Sequence, residues 1–379
     1  MCGKLLEHGG SSHGLESARP RAHRPRGVVR RAGSVSRAYS GAMQTVSVVV
    51  TAHAEGLPDF GPLSVLTEAR PDLLPVLLVL VPAAAYVYGV RRLTARGDRW
   101  PVGRSISFLV GGLGTVALAT LSGIAAYDTS LFAVHMIQHM MLSMVATVFL
   151  ALGAPVTLAL RTLPQRPRGL LLRLLHSRVA EVVSFPLIPW VLFVASPFAL
   201  YFSGWYAATL DSTVLHELLH VHFLAVGSLF FWPLLGIDPV PGRSGHPFRM
   251  LLVAATLPFH AFLGVAIMSV EPDGRGLLAG QHYLPLHGLA ESVFQQQLGG
   301  GLLWASGDVI GLLFLAVLLT QWMRASEREA EREDRRLDRL DARAVSAASA
   351  GATPVGSTPV GSTPAGSTAA GSPPTGQGG

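Results

Sequence analysis

Seven long apolar segments run through the middle of this chain, and they limit its fold more than any other feature. A helix that crosses the hydrocarbon core of a bilayer needs roughly 20 apolar residues, and an isolated apolar segment can cross only as a helix, because its backbone groups find no water there. The sequence therefore predicts an all-α integral membrane protein, a bundle of seven transmembrane helices over residues 73–323. The predicted spans are 73–90, 105–127, 132–153, 183–202, 214–236, 249–270 and 301–323.

The composition agrees with a membrane protein. The chain has 379 residues, of which 50% are hydrophobic and only 14% charged, whereas an average soluble domain carries about 25% charged residues. We expect membrane lipid rather than nucleic acid around it. Cys2 is the only cysteine, so an internal disulfide and a thiolate metal site are both excluded.

Arginine alternates between successive connections and predicts the orientation. The 91–104 and 154–182 connections each carry five arginines, whereas 128–131 and 203–213 carry none. Connections rich in Lys and Arg stay on the cytoplasmic side. The sequence therefore predicts the N-terminus outside and the C-terminus inside, in a multi-pass protein of a bacterial plasma membrane.

The two flanks differ from the bundle. Residues 1–72 read as a partly disordered extension, and the arginines within 19–37 conflict with an outer location. We resolve the conflict by placing the true start at Met43. Residues 324–345 pair acids and bases at helical spacing, which is typical of a solvated cytoplasmic helix. The Gly/Ser/Thr/Pro repeats of 346–379 predict a disordered tail.

Histidines are the strongest functional signal. His135 and His139 share one helix face, and His216 and His220 share another, because each pair is four residues apart. Polar residues inside a membrane are costly and usually face the bundle interior. Several helices therefore place imidazoles at one depth on the outer side. The eight histidines on that side are His135, His139, His216, His220, His222, His260, His282 and His287.

The donor types indicate copper. Met136 and Met140 lie beside the first histidine pair. Imidazole suits zinc, copper, iron and nickel, whereas thioether sulfur favours Cu(I), so histidine and methionine without cysteine fit copper, as Cu(I), best. Two structural interpretations stay open: the methionines fill gaps in the core, and the histidines hydrogen-bond between helices.

Residues 216–220, HELLH, match the H-E-x-x-H motif of zinc metalloproteases. That interpretation needs a third ligand. Asp238 lies roughly 27 Å beyond His220 if the helix continues, and is too distant, whereas Asp273 or Asp308 could serve from other segments. The protease hypothesis leaves the other histidine pair unexplained. Axial haem ligation by facing histidines is a further alternative.

Four stretches, in order, resemble one known family. The chain is similar to the polytopic CtaG-type cytochrome c oxidase assembly family associated with caa-type oxidases. One departure is Gln295, which stands where that family is expected to carry an acid. The stretches are HMIQHMMLSMVATVFLALGAPVTLALR (135–161), HELLHVHFLAVGSLFFWPLLGIDPVPG (216–242), MLLVAATLPFHAFLGVAIM (250–268) and QQLGGGLLWASGD (296–308).

The resemblance implies assembly of a haem–copper oxidase rather than enzymatic turnover. The expected partners are oxidase subunits and other copper chaperones, and the expected role is maturation of a copper centre. The alternative is a copper transport or resistance protein. The predicted ligands are His135, His139, His216 and His220, with His260, Met136 and Met140 as additions and Glu217 and Asp308 as acids that orient them.

Overall fold

The computed structural model divides the chain into two units, Met1–Ser64 and Val65–Gly379, and the helix bundle belongs to the second. The predicted start at Met43, residues 1–56 of the N-terminal extension and residues 352–379 of the repeat tail lie outside the described residues. Residues 346–351, predicted to belong to the disordered tail, are helical instead, because the helix of the preceding charged segment continues through them. The residues that the structure describes are 57–58, 60–69, 71–239 and 245–351.

Helices make up the regular structure of the described residues, as expected from the apolar segments. Two of the long helices contain wider π-helical turns, Ser107–Leu113 and Met141–Ala146, and these two turns pack against each other. The helices are α1 (Pro62–Thr67), α2 (Leu73–Thr94), α3 (Val102–Tyr127), α4 (Phe132–Thr162), α5 (Gln165–Leu175), α6 (Arg178–Val183), α7 (Leu187–Tyr201), α8 (Trp205–Leu210), α9 (Thr213–Leu235), α10 (His246–Met268) and α11 (Gly280–Gly351).

Six of these helices are long and apolar enough to cross a membrane: α2, α3, α4, α9, α10 and α11. The protein is therefore a multi-pass membrane protein, and six predicted spans have a matching helix. The predicted span 183–202 corresponds to α7, which has only 15 residues. It is shorter because Pro186 precedes its first turn and residues 184–186 are not helical. A seventh crossing and the orientation stay predictions.

The last helix begins earlier than expected. The predicted spans 249–270 and 301–323 imply a connection over residues 271–300, but α11 starts at Gly280 and changes direction at Gly288, where φ is 75° and ψ is 176°. The prediction was wrong because buried glutamines resemble loop residues in a hydropathy profile. Gln296 accepts a hydrogen bond from the Leu278 amide at 2.7 Å and donates one to the Ile267 carbonyl at 2.9 Å.

One end of the bundle gathers the arginine-free connections, and we call it the histidine end. His282 Nε2 donates to the Thr129 carbonyl at 2.9 Å, and His287 Nε2 donates to the Ser130 carbonyl at 2.6 Å. These bonds tie the first two turns of α11 to the 128–131 connection between α3 and α4.

The opposite end carries the basic connections, and we call it the arginine end. Arg96 donates to the Arg161 carbonyl at 3.4 Å, and the Arg161 guanidinium lies 3.7 Å from Asp98. The Thr157 amide donates to Asp238 at 2.8 Å, which joins the end of α4 to the residues after α9. The alternation of basic connections in the sequence thus corresponds to two ends of one bundle.

A glycine allows the two histidine-bearing helices to approach closely. Gly227 on α9 lies against the Ser143 carbonyl in the π-helical turn of α4, and a Cβ at this position would overlap that carbonyl. The adjoining core includes Phe223, Phe230 and Phe231 of α9. This contact holds α9 beside α4 and brings their polar faces together.

Candidate metal centre

The two predicted histidine pairs meet inside the bundle. His135 and His139 lie on the first turns of α4, and His216 and His220 lie on the first turns of α9. The rings of His135 and His216 have centroids 6.3 Å apart. All four side chains are buried, as expected for polar groups that avoid lipid.

An aspartate that the sequence analysis missed joins the second pair. Asp128, the first residue after α3, is 2% exposed. Its Oδ2 accepts hydrogen bonds from His216 Nε2 at 2.8 Å and from His220 Nε2 at 3.3 Å. Among the described residues, Asp128, His216 and His220 are the group whose ligand atoms lie within 4.8 Å of one another. The sequence feature that could have identified Asp128 is that it is the only acid in a four-residue connection between two predicted spans.

The first pair is held by a different residue, which was also missed. The Tyr201 hydroxyl at the end of α7 lies 3.1 Å from His135 Nε2 and 3.0 Å from His139 Nδ1. Tyr206 packs against His135 with ring centroids 5.0 Å apart. The four predicted ligands are therefore adjacent, but they form two pairs with separate polar partners.

Two further side chains fix His220 in place. Gln138 lies between the two histidines of α4 in sequence. Its Oε1 accepts from His220 Nε2 at 3.0 Å, while its Nε2 donates to the Ala119 carbonyl at 2.9 Å. Glu217 Oε2 lies 3.5 Å from His220 Nδ1 on the other edge of the ring. Glu217 therefore lies where a carboxylate that orients a ligating imidazole is usually found.

The charge of Asp128 depends on the histidines. Burial by itself would raise the pKa of this carboxyl, but hydrogen bonds from His216 and His220 outweigh burial and lower the pKa below its ordinary value. The carboxylate is thus ionised at neutral pH inside the protein. A buried charge of this kind requires a compensating positive charge nearby, which an imidazolium or a metal cation would supply.

Three ring nitrogens in this cluster are buried with no hydrogen bond to any described residue: His135 Nδ1, His216 Nδ1 and His220 Nδ1. The last of these lies 3.5 Å from Glu217 Oε2. Most buried polar atoms in native proteins are hydrogen-bonded, so each exception calls for a specific explanation. A bound ion or water inside the cluster would provide one.

The other predicted site residues lie apart from the Asp128 group. Met136 and Met140 are buried in the apolar core. His260 Nδ1 faces the carbonyl of Thr256 on its own helix at 3.3 Å. Asp308 has one buried oxygen, Oδ1, without a hydrogen bond in the described part of the chain.

Comparison with known proteins identifies relatives in mycobacteria. Proteins described as uncharacterized, Mb0105 of Mycobacterium bovis and MT0111 of Mycobacterium tuberculosis, are each 41% identical over 281 residues. ML1998 of Mycobacterium leprae, also described as uncharacterized, is 36% identical over 281 residues. Each match covers 72% of this chain but only 42% of the relative. No solved structure matches the chain.

A family model described as cytochrome c oxidase caa3 assembly factor matches residues 84–325. The match includes α3, α4, α9 and α10, and hence both histidine pairs and Asp128. It agrees with the resemblance carried by the four sequence stretches. The chain belongs to the cytochrome c oxidase caa3 assembly factor family.

Proposed function

We propose that this chain is a membrane-bound assembly factor for cytochrome c oxidase that binds copper at its paired histidines and assists maturation of a copper centre. The observation that carries the proposal is the convergence of two histidine pairs from α4 and α9 in one buried cluster. Family membership supports the assembly role. The copper role rests on the chemistry of the donors.

The donor set suits an ion that is held and then passed on. Imidazole nitrogens bind copper without the closed thiolate cages that retain it, and Cys2 is the only cysteine of the chain. The cluster lies at the histidine end, whose connections contain few arginines and which we place outside the cytoplasm. Oxidase subunits and other copper chaperones could meet the protein there.

A specific observation also revives the protease hypothesis, since Asp128 supplies the third ligand that HELLH lacked in the sequence analysis. The position of Glu217 weighs against it. A protease needs this glutamate beside the metal-bound water, but Glu217 lies at Nδ1 of His220, whereas Asp128 lies at Nε2. The glutamate is thus on the far edge of the ring from the ligand group.

The test is cytochrome c oxidase activity in membranes of a strain that lacks this gene, with complementing copies. His222 is a matched control, because it lies on the same helix as His216 but is exposed. We expect wild-type and His222→Ala copies to restore activity and His216→Ala to fail at equal protein level. Normal oxidase activity in the deletion strain would refute the proposal. Lost copper tolerance with normal oxidase would instead favour copper transport.

Copper binding by the purified protein is a separate test. A variant with alanine at His135, His139, His216 and His220 should lose its bound copper. Unchanged copper content in that folded variant would remove the histidine cluster from the proposal.

A further inference from the structure

We propose that Asp128, His216 and His220 form a binding site for one divalent ion of the Cu²⁺ or Zn²⁺ class, separate from the His135/His139 pair. The inference narrows the metal chemistry of the proposed function. The inference rests on the proposed function only for the identity of the protein that receives the ion.

The three donor atoms already converge. Asp128 Oδ2 lies 2.8 Å from His216 Nε2 and 3.3 Å from His220 Nε2, and the three ligand atoms all lie within 4.8 Å of one another. These separations suit one ion with bonds of about 2.0–2.2 Å to nitrogen and oxygen. An ion that replaced the Nε2 protons of His216 and His220, which now point to Asp128 Oδ2, would keep all three side chains in place.

Gln138 adds a fourth donor. Its side-chain oxygen is 3.0 Å from His220 Nε2, and its own amide is anchored on the Ala119 carbonyl, so the oxygen faces the group. The resulting set has two imidazole nitrogens and two oxygens. Such a set suits zinc and divalent copper, whereas Cu(I) is favoured by sulfur.

The sulfur atoms expected from the sequence are not part of this group. Met136 is fully buried, and Met140 is 4% exposed, both within the apolar core. His135 and His139 are engaged by Tyr201 instead of Asp128. The Asp128 group therefore has no thioether, which points to a divalent ion rather than Cu(I).

The charge balance of the group favours a cation. The Asp128 carboxylate is buried, and among the described residues its hydrogen-bond partners are the two imidazoles. His216 Nδ1 is buried without a hydrogen bond in the described chain. A divalent ion at Nε2 would compensate the carboxylate while leaving both imidazoles neutral.

Residues that are not ligands hold the three ligands in position. His282 and His287 of α11 bind the carbonyls of Thr129 and Ser130 and so fix the connection that begins with Asp128. Glu217 lies at the outer edge of the His220 ring. These residues act by positioning the ligands, and their loss should weaken binding less than loss of a ligand.

The test is equilibrium dialysis of the purified full-length chain in detergent micelles against CuCl₂, ZnCl₂ and, under reductant, Cu(I). We expect one divalent ion per chain, with Cu²⁺ bound more tightly than Zn²⁺. Removal of outer partners of a metal site typically costs 10- to 100-fold in affinity. Glu217→Gln should fall in that range, and Asp128→Asn should exceed about 100-fold.

The matched control is Asp211→Asn, which alters an exposed acid just before α9. It should keep wild-type divalent binding. Unchanged affinity in folded Asp128→Asn would overturn the inference, as would divalent binding that depends on His135 and His139 alone. If Asp128→Asn does not fold, electron paramagnetic resonance of Cu²⁺-loaded protein decides. A signal from two imidazole nitrogens that His216→Ala reduces supports the site, and a signal unchanged by that substitution overturns it.

Oxidase assembly separates this inference from the proposed function. Intact divalent binding together with normal oxidase activity in the deletion strain would reject the proposed function and leave the site standing. Lost oxidase activity in the deletion strain, together with no divalent binding by the purified protein, would reject the site and leave the proposed function standing.

Discussion

Two aspartates, one at each end of the bundle, are almost equally buried but accept hydrogen bonds from different kinds of donor. Asp238, at the arginine end, is 0% exposed, and Asp128, at the histidine end, is 2% exposed. Each follows a long helix by a few residues or fewer. Burial and position alone would assign them the same role.

The donors around Asp238 are those of a structural carboxylate. It accepts hydrogen bonds from the amides of Val156 and Thr157 at 3.2 and 2.8 Å, from the Thr157 hydroxyl at 2.5 Å, and from the Trp232 indole at 3.0 Å. The two amides follow Ala154, whose φ of 49° interrupts α4, so Asp238 caps a restarted helix. Backbone amides and an indole cannot ligate a metal, and the one hydroxyl among these donors provides no imidazole nitrogen.

The donors around Asp128 are of a type that can ligate a metal, since both are imidazole Nε2 atoms. The comparison teaches that the identity of the donors, more than burial, distinguishes a structural acid from a candidate metal ligand. Four substitutions test or refine this distinction.

Removing the Asp238 carboxylate should have the largest effect on stability. Asp238→Ala leaves the amides of Val156 and Thr157 and the Trp232 indole without their acceptor. Hydrogen bonds to charged groups contribute roughly 1.5–3 kcal/mol each, so the free energy of unfolding should fall by about 3 kcal/mol or more. Denaturant unfolding in micelles measures this. Metal bound per folded chain should not change, and a loss of metal would break the comparison.

Asp128→Asn should cost roughly 1.5–3 kcal/mol in stability without metal, because its amide oxygen still accepts from the two imidazoles but both hydrogen bonds lose their charge. In the folded wild-type protein the pKa of the Asp128 carboxyl is lowered. The carboxylate therefore makes its full contribution to stability at any pH above the ordinary pKa of an aspartate. That contribution is lost only as pH falls below about 4. Unfolding measured from pH 7 to 3 checks this. A wild-type advantage that already disappears between pH 7 and 5 would contradict it.

Metal also separates the two aspartate variants. An ion that binds only the folded state raises its stability in proportion to the logarithm of its concentration. Zn²⁺ should therefore raise the melting temperature of wild-type protein and of folded Asp238→Ala, but not that of Asp128→Asn.

Gly227→Ala should disturb both ends, because Gly227 lies on α9 between His220 and Asp238. The added methyl meets the Ser143 carbonyl of α4, and overpacking of this kind costs about 1–3 kcal/mol. Metal affinity should fall with stability, since the two histidine-bearing helices separate. Gly103→Ala is the control, because open space surrounds its Cβ. Equal behaviour of the two variants would show that the close helix contact is not needed.

His287→Ala should have the smallest effect. It removes one hydrogen bond to the Ser130 carbonyl, which contributes about 0.5–1.5 kcal/mol. Metal affinity should fall by less than in Asp128→Asn, because Asp128 remains but its connection is held less firmly. His176→Ala, at an exposed position remote in sequence, serves as the control. A loss as large as that of Asp128→Asn would mean that His287 is a ligand.

Much of the fold could be predicted because its signals are local. Apolar length predicts the six long helices, and four-residue spacing predicts that each histidine pair shares a face. The predictions were wrong where tertiary contacts override hydropathy. The 280–300 segment is helical although it is polar, and its Gln296 bonds to backbone groups on α10 and in the connection after it.

The candidate site residues also differ in whether a local signal identifies them. The histidines stand out in sequence because imidazoles are rare in membrane spans. The partners of Asp128 and Tyr201 could not be predicted from the sequence, because they are 88 and 66 residues away in the chain, at His216 and His135. No local pattern reports such a distance. Whether either pair binds metal stays a prediction.

By itself, the sequence determined that this chain builds a helical bundle in a membrane and carries two histidine pairs on single helix faces, since apolar length and helical period are properties of each segment alone. Only the tertiary structure decided that His216 and His220 share Asp128 while His135 and His139 share Tyr201. That choice depends on how closely α9 packs on α4 at Gly227 and on how α11 holds the 128–131 connection. Both depend on contacts between distant segments, which form only when the helices pack together.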